Sequence, residues 1–578
     1  MAGGRFVRAA GLEELKRSGR LVVHVNGQTI ALFLVDGRVY AVDNRCPHMG
    51  FPLHRGTLRE GILTCHWHHA RFDLAGGGTF DPWADDLRTF PVEVRGDEVW
   101  VDVSVPPPTP GHHLRRVREG LERNIPLVLA KAVIALSAAG TDPVEPFRVG
   151  LDFGTRYRRA GWGSGLTTHT CFFNLLPYLA PEDRALALYH GLSAVAEDAA
   201  GSPPRFFLRP LPGPTPDVAT LGRWFRQFVE VRDEEAAERC LVSAVRAGAR
   251  LPQLAEMLFA AATDHRYLQV GHVLDFTNKA FEALAAAGPD WAEPVLASLV
   301  PAYARAMRME EAASWRHPVD LVAVLTGAFE RLPTALGRGR GRAWAGSLRA
   351  LAELVLSAEP EAVADGLLEA LAGGCPPAQL AQAVAYAAAL RVARFPTSNE
   401  FADWVTALHT FSFAQAAYQA VRRSPTPEVL RAAFDAAMSV YLDRFLNIPA
   451  ARLPEPGGPV ADPEGLLAEL ESLLDRQQQV DEAGGLVGRY LYGGGDPGRL
   501  QAVLGRLLLR EDRDFHTIQM VEAAYGLYKD LEADLDGVPV LVAAARYLAA
   551  HAPTPREQAQ TYRTALRLHR GERLYEEA

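Results

Sequence analysis

Two short segments that each carry one cysteine and one histidine constrain the fold of this chain most strongly. The first segment is Cys-Pro-His at residues 46–48, and the second, sixteen residues later, is Cys-His-Trp-His at residues 65–68. Thiolates and imidazoles are metal ligands. One ligand of each kind on each of two loops makes a common centre only where the loops meet. The chain therefore has to fold with these two segments side by side.

Iron–sulfur chemistry fits this pattern better than zinc does. A Rieske centre needs two thiolates on one iron and two neutral imidazoles on the other. Zinc sites with the same four ligands normally pair Cys with Cys and His with His at short spacing, whereas each segment here offers one of each. The motif predicts a [2Fe-2S] cluster, and a structural zinc protein is the disfavoured alternative. The predicted cofactor-binding and metal-binding residues are Cys46, His48, Cys65 and His68.

The surrounding sequence resembles the Rieske domains of bacterial ferredoxins and non-haem oxygenases over residues 5–104. The likeness is carried by CPHMGFPLHRG, which begins at Cys46, and by CHWHHARFDLAGG, which begins at Cys65. The resemblance implies a small antiparallel β fold with the cluster loops at one tip. It also implies that the two cysteines bind the inner iron, while His48 and His68 bind the outer, more exposed iron.

Two details refine this resemblance. Rieske proteins of respiratory complexes carry an additional cysteine in each loop, and Phe51 and Trp67 stand at those places here. The resemblance therefore implies the soluble type with a lower reduction potential. His66 and His69 fall outside the register of the motif, and we interpret them as bystanders.

The pattern of the chain changes near residue 105. Residues 21–43 alternate apolar and polar side chains around Asn-Gly and Asp-Gly pairs, which is typical of β-hairpins. The proline-rich run at 106–111 interrupts that pattern, and beyond it apolar residues recur at helical spacing. We predict a multidomain chain with these parts: a small all-β Rieske domain at 1–105, a Pro-rich linker at 106–124 and a large all-α domain at 125–578.

Composition limits the partners and the location of the protein. The formal net charge of -9 gives no electrostatic reason to expect nucleic acid or an anionic membrane as a partner. Residues 125–139 are strongly apolar, but they are fewer than the ~20 that span a bilayer and include Lys131. Five scattered cysteines do not suit a disulfide scaffold, and residues 1–16 show no signal peptide. We expect a soluble, cytoplasmic protein.

Histidines of the helical part suggest a second site. His169, His409 and His516 each begin a weak repeat, in which Thr follows at once and Tyr stands at the ninth position. His265 and His272 share one helical stripe with Asp275. A metal or substrate site is one interpretation, and histidines packed individually in a helical array are the other. No catalytic residue is assigned. The candidate ligands are His169, His265, His272, His317, His409 and His516.

The helical part also resembles questin-oxidase-like proteins, in HRYLQVGHVLDF at 265–276 and LHTFSFAQAAY at 408–418. That resemblance implies a helical enzyme that inserts oxygen into aromatic polyketides, and it carries over no residues. The Asp-x₂-His-x₄-His motif of ring-hydroxylating oxygenases is absent. No Gly-x-Gly-x-x-Gly follows a strand, so a nicotinamide or flavin domain is expected on a separate chain.

Two functions are consistent with these features. In the first, the protein is a Rieske oxidoreductase of oxygenase type. Its cluster relays electrons from a separate ferredoxin or flavin reductase to a metal or small-molecule site among the helices, for example a second non-haem iron. In the second, it is a non-catalytic electron-transfer or redox-sensing protein whose helical array docks a partner. Convergence of the candidate histidines would favour the first function, and scattered histidines would favour the second.

Overall fold

A computed structural model describes residues 6–104 and 108–574. The chain divides into two compact units, which we call unit 1 (Met1–Pro146 with Gln560–Ala578) and unit 2 (Phe147–Ala559). The first two positions of the predicted linker, 106 and 107, lie outside the described residues. The predicted boundary at 105 between two domains stays a prediction.

The described part of unit 1 contains ten short strands in three antiparallel sheets, with orders β1-β10-β9, β2-β3-β4-β8 and β5-β6-β7. This confirms the predicted small antiparallel β fold. Asn26 and Asp36 adopt positive φ angles in the tight turns after β2 and β3, as expected for two-residue hairpins. The strands are β1 (Phe6–Gly11), β2 (Arg20–Val25), β3 (Gln28–Val35), β4 (Arg38–Asp43), β5 (Thr57–Arg59), β6 (Ile62–Thr64), β7 (Arg71–Asp73), β8 (Thr89–Phe90), β9 (Val92–Arg95) and β10 (Glu98–Asp102).

Strand β3 lies at the centre of this unit, since both of its faces are buried. Phe33 packs on one face with the two cysteines of the motif. Ile30 and Leu32 pack on the other face, against residues of β10. Side chains alternate between the faces of a strand, so one strand supports two hydrophobic layers. The cluster segments lie over the first of these layers.

Helices complete unit 1, and one of them lies within the predicted linker. Thr109 caps a helix by accepting a hydrogen bond from the backbone N–H of His112, and Pro110 takes the first helical position. The helix ends at Asn124, which has a left-handed conformation. A proline run can therefore begin a helix as well as separate domains. The helices are α1 (Leu12–Ser18), α2 (Pro110–Arg123) and α3 (Pro126–Ala138).

Unit 2 is built from helices, which confirms the predicted large helical region. Among the described residues, every helix is too short or too polar to cross a bilayer. The helices of this part are α4 (Val144–Arg156), α5 (Ser164–Leu175), α6 (Arg184–Ala199), α7 (Val218–Glu230), α8 (Glu234–Arg246), α9 (Leu251–Ala262), α10 (His272–Ala287), α11 (Ala292–Ala297), α12 (Val300–Arg305), α13 (Leu321–Gly339), α14 (Leu348–Ser357), α15 (Pro360–Ala372), α16 (Pro377–Ala393), α17 (Phe401–Arg423), α18 (Pro427–Leu442), α19 (Pro463–Leu473), α20 (Val480–Tyr492), α21 (Pro497–Leu509), α22 (Phe515–Asp530) and α23 (Val538–Ala550), and the last helix of the chain is α24 (Glu557–His569).

Candidate functional site

The first cysteine-histidine segment lies in a loop that follows β4. The backbone N–H of Cys46 donates to the carbonyl of Phe51 at 2.8 Å, and the N–H of Gly50 donates to the carbonyl of Cys46 at 2.8 Å. Gly50 has a φ of +82°, a region that disfavours residues with a Cβ. These contacts close a tight loop, which we call the first cluster loop (residues 44–56).

The second segment joins β6 to β7 and forms the second cluster loop (residues 65–70). Its ends are fastened by a hydrogen bond of 2.8 Å from the N–H of Cys65 to the carbonyl of Ala70. The two loops approach closely at Gly56, where a Cβ would lie only 2.5 Å from the carbonyl oxygen of Thr64. A glycine is therefore required there, because any other residue would push the loops apart.

The thiols of Cys46 and Cys65 lie together in the core of unit 1, where they are 2% and 1% exposed. They share a hydrogen bond, which lowers the pKa of Cys65 to about 6 and raises the pKa of Cys46. Backbone N–H groups of Trp67 and His68 further lower the pKa of Cys65. The neighbouring thiol and these backbone N–H groups therefore favour the thiolate form of Cys65, and the thiolate is the form that binds metal.

The imidazoles of His48 and His68 meet beside these thiols, with ring centroids 4.9 Å apart and nearly perpendicular planes. Burial lowers the pKa of His48 to about 4 and also lowers the pKa of His68, so both rings favour the neutral form. Trp83 covers His48 at a centroid distance of 4.6 Å, whereas His68 is exposed. His68 therefore forms the accessible edge of the site.

The surroundings of one buried atom indicate whether these residues fit an iron–sulfur cluster. Nδ1 of His48 has no hydrogen-bond partner among the described residues. Buried nitrogens are normally paired, so this one is suited to bind a group that the side chains enclose. Two thiols and two neutral imidazoles are also the donor set of a Rieske cluster. The residues present fit that group.

Comparison with known proteins agrees with this donor set. The family of Rieske [2Fe-2S] domains matches residues 5–91. The ferredoxin component of a naphthalene 1,2-dioxygenase system from Pseudomonas aeruginosa is 33% identical over 101 residues, which are 17% of this chain and 97% of that relative. The chain belongs to the Rieske [2Fe-2S] family.

Other similar proteins are ferredoxins as well. The ferredoxin subunit of biphenyl dioxygenase from Pseudomonas sp. is 29% identical over 101 residues, 17% of this chain and 93% of that relative. Among solved structures, the ferredoxin of carbazole 1,9a-dioxygenase from Nocardioides aromaticivorans is 30% identical; the match covers 17% of this chain and 95% of that one, with a TM-score of 0.16. The Rieske domain thus carries a [2Fe-2S] cluster and serves electron transfer. These matches give no support to the likeness with questin-oxidase-like proteins.

A lysine outside the Rieske motif contacts the first cluster loop. Lys131, in the middle of α3, donates hydrogen bonds to the carbonyl oxygens of Pro47 at 2.7 Å and His48 at 2.5 Å. Its Nζ also lies 3.5 Å from a carboxylate oxygen of Asp85. Burial lowers the pKa of Lys131, and the charge of Asp85 opposes that effect. The sequence indicated only that this lysine interrupts an apolar run.

Unit 2 brings three of the six candidate histidines together. His272 is the first residue of α10, His409 lies in the middle of α17, and His516 is the second residue of α22. Each offers one ring nitrogen to a group in which all nitrogens lie within 4.8 Å of one another. Nε2 of His409 and Nε2 of His516 are 3.0 Å apart. We call these three residues the histidine triad.

The surroundings of the triad favour a neutral ring at His409 and hold the ring of His516 in place. Burial and the two neighbouring imidazoles lower the pKa of His409 to about 3. Nδ1 of His516 lies 3.4 Å from a carboxylate oxygen of Asp514. Desolvation would raise the pKa of Asp514, but hydrogen bonds from His516 and Thr517 lower it to about 2. A carboxylate on one ring nitrogen directs the other nitrogen towards a metal.

The backbone that leads into the triad is strained. Tyr267, Gln269 and Val270 all have positive φ angles between 47° and 51°, which is a genuine outlier for a β-branched residue such as valine. Gly271 follows at +91°, and a Cβ there would lie 2.8 Å from the Cβ of Phe413 on α17. Such strain persists where packing enforces it, and it concentrates at functional sites. Here it brings the start of α10 against α17.

The other three candidate histidines lie outside the triad and have other surroundings. His169 is buried, and its Nε2 lies 3.1 Å from the carbonyl oxygen of Phe147. Gly150 leaves room for that ring, since a Cβ there would lie 2.5 Å from Nε2. His169 thus fills a gap between helices. His317 is exposed.

His265 is held between two carboxylates and not beside His272, although the two share a sequence stripe. Its Nδ1 lies 2.6 Å from Glu310, and its Nε2 lies 2.7 Å from Glu230. Burial would lower the pKa of His265, but hydrogen bonding and the charge of Glu310 raise it. The predicted stripe fails because the helix begins only at His272, after the left-handed turn.

Proposed function

We propose that this protein is an oxygenase-like oxidoreductase with two metal centres. Cys46, Cys65, His48 and His68 hold the [2Fe-2S] cluster, and the histidine triad holds a second, non-haem metal, iron in the first instance. The cluster supplies single electrons, which come from a separate ferredoxin or flavin reductase. A small organic molecule is the substrate. The free cysteines of the described chain support a reducing, cytoplasmic setting.

The convergence of the histidine triad is the observation that carries this proposal. Three imidazoles from three helices offer nitrogens within 4.8 Å of one another. Imidazole suits iron, and a facial set of three ligands leaves positions open for oxygen in non-haem iron enzymes. Histidines with a structural role are satisfied one by one, as His169 is. The ring nitrogens of the triad instead face one another, which is the arrangement that a shared metal requires.

Neighbouring side chains support the same conclusion. Asp514 accepts from His516 and so fixes which nitrogen of that ring points inward. Asp275 lies 4.0 Å from Nδ1 of His272 and accepts a hydrogen bond of 2.5 Å from the amide of Gln519. Phe276 and Phe515 pack around His272 and surround the triad with apolar rings. Protein side chains thus hold the nitrogen donors and restrict water.

Electron transfer without catalysis is the second candidate function. Several matched relatives are themselves ferredoxin components or subunits, and the exposed edge at His68 is suited to a docking partner. On this view the helices of unit 2 form a docking or redox-sensing surface, and the triad holds no metal.

Metal analysis of the purified full chain separates the two functions. We expect three irons per chain, two for the cluster and one for the triad. His272→Ala and His409→Ala should each lose one iron and retain the paramagnetic signal of the cluster. His317→Ala, which changes an exposed histidine of the same unit, is the matched control and should keep all three. Two irons in the parent protein, with no other metal bound, would overturn the second centre and leave the electron-transfer function.

A further inference from the structure

The structure assigns a role to Lys131: we propose that it positions the first cluster loop and raises the reduction potential of the [2Fe-2S] cluster. This inference rests on the ligand set proposed above. Lys131 belongs to α3, beyond the residues matched by the Rieske family. It is therefore a contribution of the helical segments of unit 1 and not of the Rieske motif.

The geometry around Nζ indicates an ammonium group. Three oxygens face Nζ: the carbonyls of Pro47 at 2.7 Å and His48 at 2.5 Å, and a carboxylate oxygen of Asp85 at 3.5 Å. An ammonium has three N–H donors and no acceptor, so it matches three oxygens, whereas a neutral amine would direct its lone pair at one of them. The side chain of Lys131 is 15% exposed, so water screens this charge only weakly.

The local balance of charge favours a positive field at the loop. Asp85 also accepts from the guanidinium of Arg116 at 2.8 Å, so one carboxylate serves two cations. Arg116 pairs further with Glu119, but that carboxylate side chain is 49% exposed. The two cations that meet at Asp85 are both less exposed than that carboxylate, with side chains 8% and 15% exposed against 28%.

A buried cation at this place acts on the cluster in two ways. Reduction adds one electron, and hence one negative charge, to the cluster, and a nearby positive charge stabilises that product. Net charge and hydrogen bonding around iron–sulfur clusters set their reduction potentials. In addition, the two hydrogen bonds to the carbonyls of Pro47 and His48 hold the backbone between the two proposed ligands of this loop. By holding this backbone, Lys131 also acts as a positioning residue.

Redox titration of the full-length holoprotein tests the proposal, with electrode-supplied electrons and the cluster absorbance as readout. Lys131→Met should shift the potential downward, and Lys131→Arg, which keeps the charge, should retain most of the parent value. Lys16→Met removes an exposed lysine of the same unit and should leave the potential unchanged. Asp85→Asn removes the counter-charge and should shift the potential upward.

The outcomes separate this inference from the ligand assignment. Absence of the cluster signature from the parent protein would contradict the proposed function itself. An intact cluster with the same potential in Lys131→Met as in the parent would overturn the role of Lys131. A reduction potential of Lys131→Arg as low as that of Lys131→Met would also overturn the role of Lys131. If Lys131→Met does not assemble the cluster, Asp85→Asn decides: an unshifted or lower potential overturns the inference.

Discussion

Nε2 of His409 lies 3.0 Å from Nε2 of His516, although 107 residues separate the two in the chain. Two neutral imidazoles cannot both present a lone pair at that distance without a proton or a cation between them. Burial and the neighbouring imidazoles lower the pKa of His409 to about 3, so the proton between the two nitrogens is the N–H of a neutral ring unless a cation replaces it. The metal proposed for the triad would take the place of that proton.

Removal of one proposed cluster ligand should abolish the cluster. His68→Ala leaves one iron without an imidazole, so we expect loss of the Rieske optical and paramagnetic signals. Helical circular dichroism should stay unchanged, because His68 lies at an exposed edge. His66→Ala is the matched control, since this residue is outside the motif and bonds Thr57. A retained signal in His68→Ala would refute its assignment as a ligand.

Asp514→Asn should weaken metal binding at the triad without unfolding α22. Asparagine can still cap the helix, as Asp514 does for the N–H of Thr517. It loses the charge that orients His516, and loss of such a partner typically costs 10–100-fold in metal affinity. Competition with a chelator measures the change. Asp462→Asn alters a helix cap without a histidine partner and should leave the affinity as it was; equal affinities in both variants would count against the orienting role.

Gly271→Ala should destabilise unit 2 and disturb the triad. The left-handed backbone costs about 1–2 kcal/mol with a side chain, and the new Cβ would also lie 2.8 Å from Phe413. Gly494→Ala, at a φ of +89° shortly after α20, places its new Cβ in open space and so carries a backbone penalty without a close contact. The free energy of unfolding, measured with urea, should therefore fall more for Gly271→Ala. Equal losses would show that the close approach to α17 contributes nothing.

Acid should weaken unit 2 before it protonates the buried rings. Burial lowers the pKa of His169 and of His190 to about 4, whereas an unfolded histidine titrates near 6.5. Between those values the unfolded chain binds more protons, so stability that is present above pH 6.5 is lost as the pH falls towards 4. Each residue contributes at most about 1.4 kcal/mol per pH unit. Urea midpoints at pH 7 and pH 5 measure the loss.

A substitution of one buried histidine separates its contribution to the pH dependence of stability from that of the other acidic and basic groups. His169→Gln removes one of the depressed titrations, so its urea midpoint should depend less on pH between 7 and 5 than that of the parent protein. His317→Gln changes an exposed histidine and should keep the parent dependence. Parallel pH dependence in His169→Gln and the parent would contradict the assignment.

The sequence alone determined the cluster site and the two kinds of fold. The four proposed ligands lie within residues 46–68, so their spacing is local information that a motif can carry. Period-two alternation and helical periodicity likewise report on neighbouring residues, and they predicted the β domain and the helical region. The run at 106–124 was predicted to be a linker, but residues 110–123 form α2, because Thr109 and Pro110 serve equally well as a loop or as a helix start.

Only the tertiary structure decided which distant groups meet. His272, His409 and His516 come from three separate helices, and nothing in their spacing distinguishes them from His169, His265 and His317. The weak repeat pointed to His409 and His516 but also to His169, which fills a packing gap instead. Lys131 offered no signal, since a lysine in an apolar helix contacts whatever the fold places opposite it. Convergence of this kind depends on how helices pack, and helix packing is set by the whole core and not by any one segment.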